Sequence, residues 1–424
     1  MWNWRLPRPS VEHFAGACVA LSLSSGAVEV PLYAAFGIPP VLGAPLMALA
    51  GAAGAMALVR LVPRFGVTGA VLAPLGFWLA LVLWATLSAT WTSAVDLVGG
   101  KLGLLLGVSM LFLLLGICVG FAADAFDAFL RTLFAIGLIT ALAIFIYSNR
   151  PPHLDANAAQ ALQTFTSAYQ ATTQCVSLAA MVALVRLLSD GGGRFAKPAW
   201  GAAWLVLTIA TLAGGGRGAA IAGGLAQASV LGFAMFFYWG TPQAARLWRA
   251  LVALPLLAGL LLLLGSLLEL RGIERLTTIA NSLTDKTGRH ALWAAALAMS
   301  DAHPVVGAGL AAFQESANNI ESLGIYPHNV FLEVLAENGL AGFALFVGAI
   351  VSALAAALRR AREIAFAHGA VWLGLFVYTC FEMNVSGSVT DRMIAFVIGL
   401  SAGLAARSLP ARSENPSERP LPQP

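Results

Sequence analysis

The sequence predicts an all-α polytopic membrane protein, with about 12 transmembrane helices and one large hydrophilic loop containing short amphipathic helices. Three observations predict it. Only 10% of the 424 residues are charged, where an ordinary soluble domain carries roughly 25%. Hydrophobic residues make up 59% of the chain and the mean hydropathy is +0.82. Apolar runs long enough to cross a bilayer recur from one end to the other. A soluble globular protein is excluded, and the alternating strands of a transmembrane barrel do not appear. The 24 basic and 20 acidic residues are too scattered for a nucleic-acid surface, so no nucleic-acid partner is expected.

At about 20 apolar residues per span, helices are expected near 13–36, 41–59, 68–90, 102–121, 128–147, 169–189, 199–214, 218–240, 250–268, 338–358, 369–384 and 392–408. The first run contains Glu29 and Pro31 and lacks the basic, apolar and small-residue order of a cleavable signal, so it is expected to stay as the first helix. Cys18, Cys118, Cys175 and Cys380 lie in or beside apolar segments, with no metal-ligand spacing, and read as packing residues. With the N-terminus inside, the even-numbered connections and both tails hold sixteen of the 24 basic residues, Arg60, Arg64, Arg186 and Arg360 among them. This positive-inside bias predicts cytoplasmic termini. Residues 1–268 then hold nine transmembrane helices, 269–328 a large outward loop, 329–408 the last three helices, and 409–424 a tail rich in Pro, Ser and charge that is expected to be disordered.

The eight basic residues left outside are Lys101, Arg150, Arg217, Arg271, Arg275, Lys286, Arg289 and Arg392. Four lie in the stretch from Glu269 to His328, and a connection of that length is usually functional. Within it, Thr287 to Ala302 reads as a helix stopped by His303-Pro304. Gly307 and Gly309 permit a tight turn, and Ala311, Ala312 and Phe313 return to an apolar surface. A shorter outer loop, from Ser148 to Ala168, carries Arg150, His153, Asp155 and Asn157.

Several of these positions can carry chemistry. Tyr326-Pro327-His328-Asn329 precedes an apolar helix, and Pro327 suits a first helical turn, which puts His328 at a helix N-terminus. The helix dipole there disfavours imidazolium and leaves a neutral proton acceptor, the condition for a general base; the competing reading is a capping or interfacial histidine. Gly214-Gly215-Gly216-Arg217 joins two apolar runs at the outer boundary. Its glycines admit a close ligand and its guanidinium suits phosphate, unless Arg217 only snorkels. Arg289 lies four residues before Trp293, and Arg271 and Arg275 share a face if helical. Such outward arginines suit a lipid diphosphate, or else form a solvated face with Glu269, Glu274 and Asp285. Glu337 sits nine residues after His328, nearly opposite it on a straight helix, and is expected to tie helices together or bind an outer arginine. Asp391 can cap the last helix or orient a neighbouring arginine or histidine. No Walker motif, close aspartate pair or His-Glu-x-x-His motif is present, so chemistry at the outer face would start from an activated substrate.

These residues resemble the bacterial O-antigen ligase and polymerase superfamily of membrane glycosyltransferases. The carriers are Arg289 with Trp293, His303-Pro304-x-x-Gly307-x-Gly309, His328-Asn329-x-x-Leu332, Glu337-x-Gly339-x-x-Gly342, and Gly216-Arg217 before an apolar helix. The strong part runs from Gly214 to Asp391, while the first half agrees only as a hydropathy pattern. The resemblance implies a periplasmic site at the bacterial inner membrane that moves a glycan from an undecaprenyl-diphosphate-linked donor to an acceptor. In the ligase the acceptor is a sugar hydroxyl of lipid A-core oligosaccharide, in lipopolysaccharide biosynthesis; in the polymerase it is another lipid-linked repeat. A third branch glycosylates protein hydroxyls but usually has a longer chain. Length and the His-Asn motif favour the ligase.

On that reading His328 is the general base, while Arg217 and Arg289 hold the donor diphosphate, with Arg271 and Arg275 as further candidates. Asn329, Glu337 and Asp391 support the site, Asp391 matching an acidic family position only loosely. Direct displacement inverts the anomeric centre and calls for no cofactor, metal or ATP. The expected partners are the lipid-linked donor, the lipid A-core acceptor and membrane lipids. The rival class is a lipid-linked oligosaccharide flippase, which should show internal repeats and charges near the bilayer midplane. The sequence shows neither.

Overall fold

The computed structural model describes residues 10–29, 42–64, 68–148, 169–189, 195–241, 289–317, 326–361 and 363–407, with isolated positions at Ala244, Trp248, Gly259, Leu260, Leu263 and Leu267. The described residues form helices and no strand. In chain order they are α1 (Val11–Leu23), α2 (Gly43–Leu61), α3 (Gly69–Ser88), α4 (Val95–Phe121), α5 (Ala123–Ser148), α6 (Tyr169–Leu188), α7 (Ala196–Ala213), α8 (Arg217–Phe237), α9 (Arg289–Ala302), α10 (Ala312–Ala317), α11 (Val330–Leu358), α12 (Phe366–Val385) and α13 (Arg392–Ala406). Among the described residues nine helices are long and apolar enough to cross a membrane, while α1 and α13 are shorter apolar helices. Large apolar side chains such as Leu83 (70% exposed) and Ile139 (64% exposed) point away from the core. In a protein of this composition that is the surface for lipid, and it marks a multi-pass membrane protein.

Most boundaries follow the hydropathy pattern, and three depart from it in ways that matter. α1 ends at Leu23, with Ser24 as its C-cap, rather than continuing unbroken, and residues 25–29 are helical after it. α4 begins at Val95, not 102, so Lys101 lies inside the helix instead of in an outer loop. α11 begins at Val330, not 338, because Asn329 caps it and residues 330–338 are already helical. The span expected at 250–268, apart from the isolated positions named above, the whole of 269–288 with Arg271 and Arg275, Arg150 and the 409–424 tail lie outside the described residues.

Without a hydrophobic force between helices in lipid, close approach depends on small residues. α4 and α13 meet through two reciprocal small-residue faces. Gly116 and Gly120 of α4 lie against the backbone of Phe396 and Leu400, and Gly399 and Gly403 of α13 lie against the backbone of Leu113 and Ile117. A methyl group at any of the four would collide with main chain. The pair forms a rigid spine, with α3 and α11 packed beside it, and α6, α8 and α12 form the neighbouring group.

Candidate active site

His328 precedes the N-cap of α11. Asn329 is extended (φ −152°) and its side chain accepts from Leu332 N–H at 3.1 Å. Pro327 therefore lies outside the first turn, a correction to the expected arrangement: the Asn side chain, not the proline ring, starts the helix. His328 takes φ +54°, a left-handed conformation uncommon for a residue with a Cβ and costly unless its surroundings hold it. Two contacts do so. Trp293 on α9 donates its indole N–H to the Pro327 carbonyl at 3.0 Å, and the Tyr326 ring lies 4.4 Å from the imidazole.

The partner of Glu337 is Lys101. The lysine ammonium lies 2.6 Å from Glu333 Oε1 and 2.7 Å from Glu337 Oε2, and all three side chains are buried. Glu333 also accepts from Ser388 Oγ at 2.7 Å and Val389 N–H at 2.9 Å. Glu337 thus ties helices together, one of its two expected roles. Sequence reasoning counted Lys101 only as an outward charge and gave Glu333 no role; the available signal for their pairing was two acids four apart inside an apolar run, which calls for a buried cation.

One turn further, α11 breaks at Gly339 (φ +64°, ψ −168°), and the loop after α9 fills the break. Ala336 and Glu337 carbonyls, which a continuous helix would pair with Leu340 and Ala341, instead accept from Ala308 N–H at 3.0 Å and Gly309 N–H at 2.9 Å. Leu340 and Ala341 N–H turn to the Pro304 and Val305 carbonyls, at 2.9 and 3.2 Å. Gly307 (φ +78°) lies directly on Glu337 and Asn338 backbone, so this splice leaves no room for a side chain. Trp84 bonds the Asn338 carbonyl, Trp91 the Gly307 carbonyl, and Thr92 the Leu310 carbonyl. Leu292, Ala296, Phe313 and Ala336 bury the joint. The splice fixes α9, and with it Trp293, relative to His328.

Arg217 opens α8 after Gly215 (φ +80°), and Gly216 N–H donates to Thr173 Oγ1 at 3.2 Å. A side chain on the adjacent Gly218 would meet Val385 at 3.4 Å and Glu382 Oε1 at 3.5 Å, so the start of α8 abuts the end of α12. Arg289 is the first residue of α9; its side chain lies outside the described residues.

Between α6, α12, α13 and Tyr326 is a cavity of about 250 Å³, lined among others by Gln170, Gln174, Tyr378, Glu382, Ser386 and Asp391. It lies between the Arg217 and His328 segments, since Glu382 is beside Gly218 at the start of α8 and the Tyr326 ring is 4.4 Å from the His328 imidazole. Asp391 caps α13 by accepting from Met393 N–H at 2.8 Å. It lines this cavity, and desolvation pushes its carboxyl above the usual carboxylate range, against the opposing pull of the Met393 N–H and Arg392. Arg392 itself reaches back to Leu23 O and Ser25 Oγ, each at 3.3 Å. Among the described residues no group of three or more His, Cys, Asp or Glu could hold a metal ion.

Residues 201–347 match a family model described as O-Antigen ligase. The matched segment contains Arg217, Arg289, Trp293, His328 and the Gly339 splice. No curated protein matches the chain.

Proposed function

We propose, from the match of residues 201–347 to a family model described as O-Antigen ligase, that this multi-pass membrane protein is an O-antigen ligase. It transfers a glycan from undecaprenyl diphosphate to a sugar hydroxyl of lipid A-core oligosaccharide at the periplasmic face of the bacterial inner membrane, with both termini cytoplasmic. His328 takes the proton of the acceptor hydroxyl as that oxygen attacks the anomeric carbon. The bond from the anomeric carbon to the diphosphate oxygen breaks, and the configuration inverts. Arg217 and Arg289, with Arg271 and Arg275 as further candidates, neutralise the charge that grows on the departing diphosphate. Because the donor is already activated, the scheme draws on neither ATP nor a metal ion. Asn329 and the Lys101–Glu333–Glu337 cluster hold the base in position, and Asp391 anchors the start of α13.

The observation that carries this reading is the backbone of His328. A non-glycine residue is kept at φ +54° by Trp293 and Tyr326 beside a polar cavity, within the matched segment. Such strain is kept where a side chain must be aimed. The test is purified protein given lipid-linked donor and rough lipopolysaccharide without ATP or metal. Glycan joined covalently to lipopolysaccharide is the expected result. Elongation of the donor alone would make the protein a polymerase, transfer to protein hydroxyls an O-oligosaccharyltransferase, and the absence of any transfer would return the flippase reading.

A further inference from the structure

We propose that the cavity between α6, α12 and α13 is a subsite for one uncharged sugar ring of the substrates, separate from the site that grips the diphosphate. This rests on the glycosyl-transfer reading above and adds to it which chemistry the cavity takes. The first support is the character of the walls. The lining carries the Glu382 and Asp391 carboxylates, the Gln170 and Gln174 amides and the Ser386 hydroxyl, and no Lys or Arg among the described residues. Carboxylates and amides are acceptors and donors suited to a polyol, whose hydroxyls can do both. The same walls repel a diphosphate, which belongs with arginine.

Size is the second. At about 250 Å³ the cavity falls just below the roughly 300–1,000 Å³ of sites for larger ligands, which suits a single ring rather than an oligosaccharide. The third is a buried polar group on the wall. Tyr378 lines the cavity and is 1% exposed, and its phenol can both donate to and accept from a sugar hydroxyl. Position is the fourth. Tyr326, at one wall, has its ring 4.4 Å from the His328 imidazole, so the cavity adjoins the segment that carries the proposed base.

The ring could come from the acceptor core or from the first sugar of the donor, and saturation-transfer NMR on the purified full chain separates them. The probes are delipidated core oligosaccharide, the delipidated repeat-unit glycan and sugar-free undecaprenyl diphosphate. One of the two glycans is expected to show transfer in the wild type. Glu382→Gln or Gln174→Ala should weaken that binding about tenfold, the worth of one good hydrogen bond, while undecaprenyl diphosphate binds as before. In the transfer assay the KM for the same substrate should rise by a similar factor with kcat changed less. Asp391→Asn, which keeps a capping oxygen for Met393, and Ser386→Ala serve as further variants should the first pair fold poorly. The proposal is overturned if neither glycan binds the wild type, if all folded variants bind it undiminished, or if the variants lose undecaprenyl diphosphate instead. A wild type that binds glycan yet transfers none would defeat the ligase reading while leaving the subsite standing.

Discussion

The two ends of α12 and α13 both gather charge, but in opposite ways. His368 and Glu382 lie 14 residues apart on α12, about 21 Å along its axis. At the His368 end the polar atoms turn to one another. Arg407 places Nη1 3.0 Å from His368 Nδ1, and Asp127 Oδ1 lies 3.0 Å from Nε2. Because a guanidinium only donates, Nδ1 accepts and the ring proton sits on Nε2, facing the carboxylate. Arg407 also donates to the Gly120 and Phe121 carbonyls at the end of α4. At the Glu382 end, carboxylates, amides and hydroxyls surround a cavity instead. The first arrangement is a clamp joining α4, α5, α12 and α13. The second sets its polar groups around a cavity, some of them bonded to one another as Gln170 is to Ser386, and polarity near a membrane boundary is a candidate for function where a cavity gives a ligand access to it.

The largest effect should come from breaking the open end. His328→Ala is expected to lower the transfer rate by about 10²–10⁴, and Arg217→Ala by about 10²–10³, with the protein still in the membrane; wild-type-like O-antigen ladders from either would sink the ligase assignment. Lys101→Met leaves Glu333 and Glu337 buried without their cation and should cost about 3–5 kcal/mol of stability, read as a fall in thermal midpoint. Adding Glu333→Gln and Glu337→Gln should recover part of that loss, and no recovery would mean the three do not act as a charge cluster. His368→Ala, at the closed end, should cost about 1–3 kcal/mol yet leave kcat per folded molecule unchanged; a rate loss there would erase the distinction between the two ends. The smallest effect is Asn329→Ala, about 1 kcal/mol from the lost cap, with Asn329→Ser close to wild type in a denaturation series.

Features that depend on a few neighbouring residues were legible without coordinates. The helix over Arg289–Ala302, its stop before Pro304, the Gly307–Gly309 turn and the Asp391 cap all follow from local preference. Reasoning from one neighbour at a time also explains the errors. Pro327 looked like a helix opener because proline suits that position, but Asn329 supplies a side-chain acceptor to the helix N–H groups and so takes the start for itself. A straight α11 was assumed in judging Glu337, whereas Gly339 lets the helix exchange its own hydrogen bonds for those of a loop.

Composition and hydropathy determined by themselves that the chain is a helical membrane protein and roughly where most of its spans lie, because a bilayer imposes one length and one polarity on every segment that crosses it. Residue order alone also singled out His328, Arg217 and Arg289 as candidates for the site. Only the tertiary structure decided which polar groups are buried against one another and which line a cavity. Lys101 meets Glu333 across 232 positions of sequence, and Gln170 meets Ser386 across 216; such pairs follow from how glycine-faced helices pack, and helix packing in lipid depends on shape, which no local pattern records.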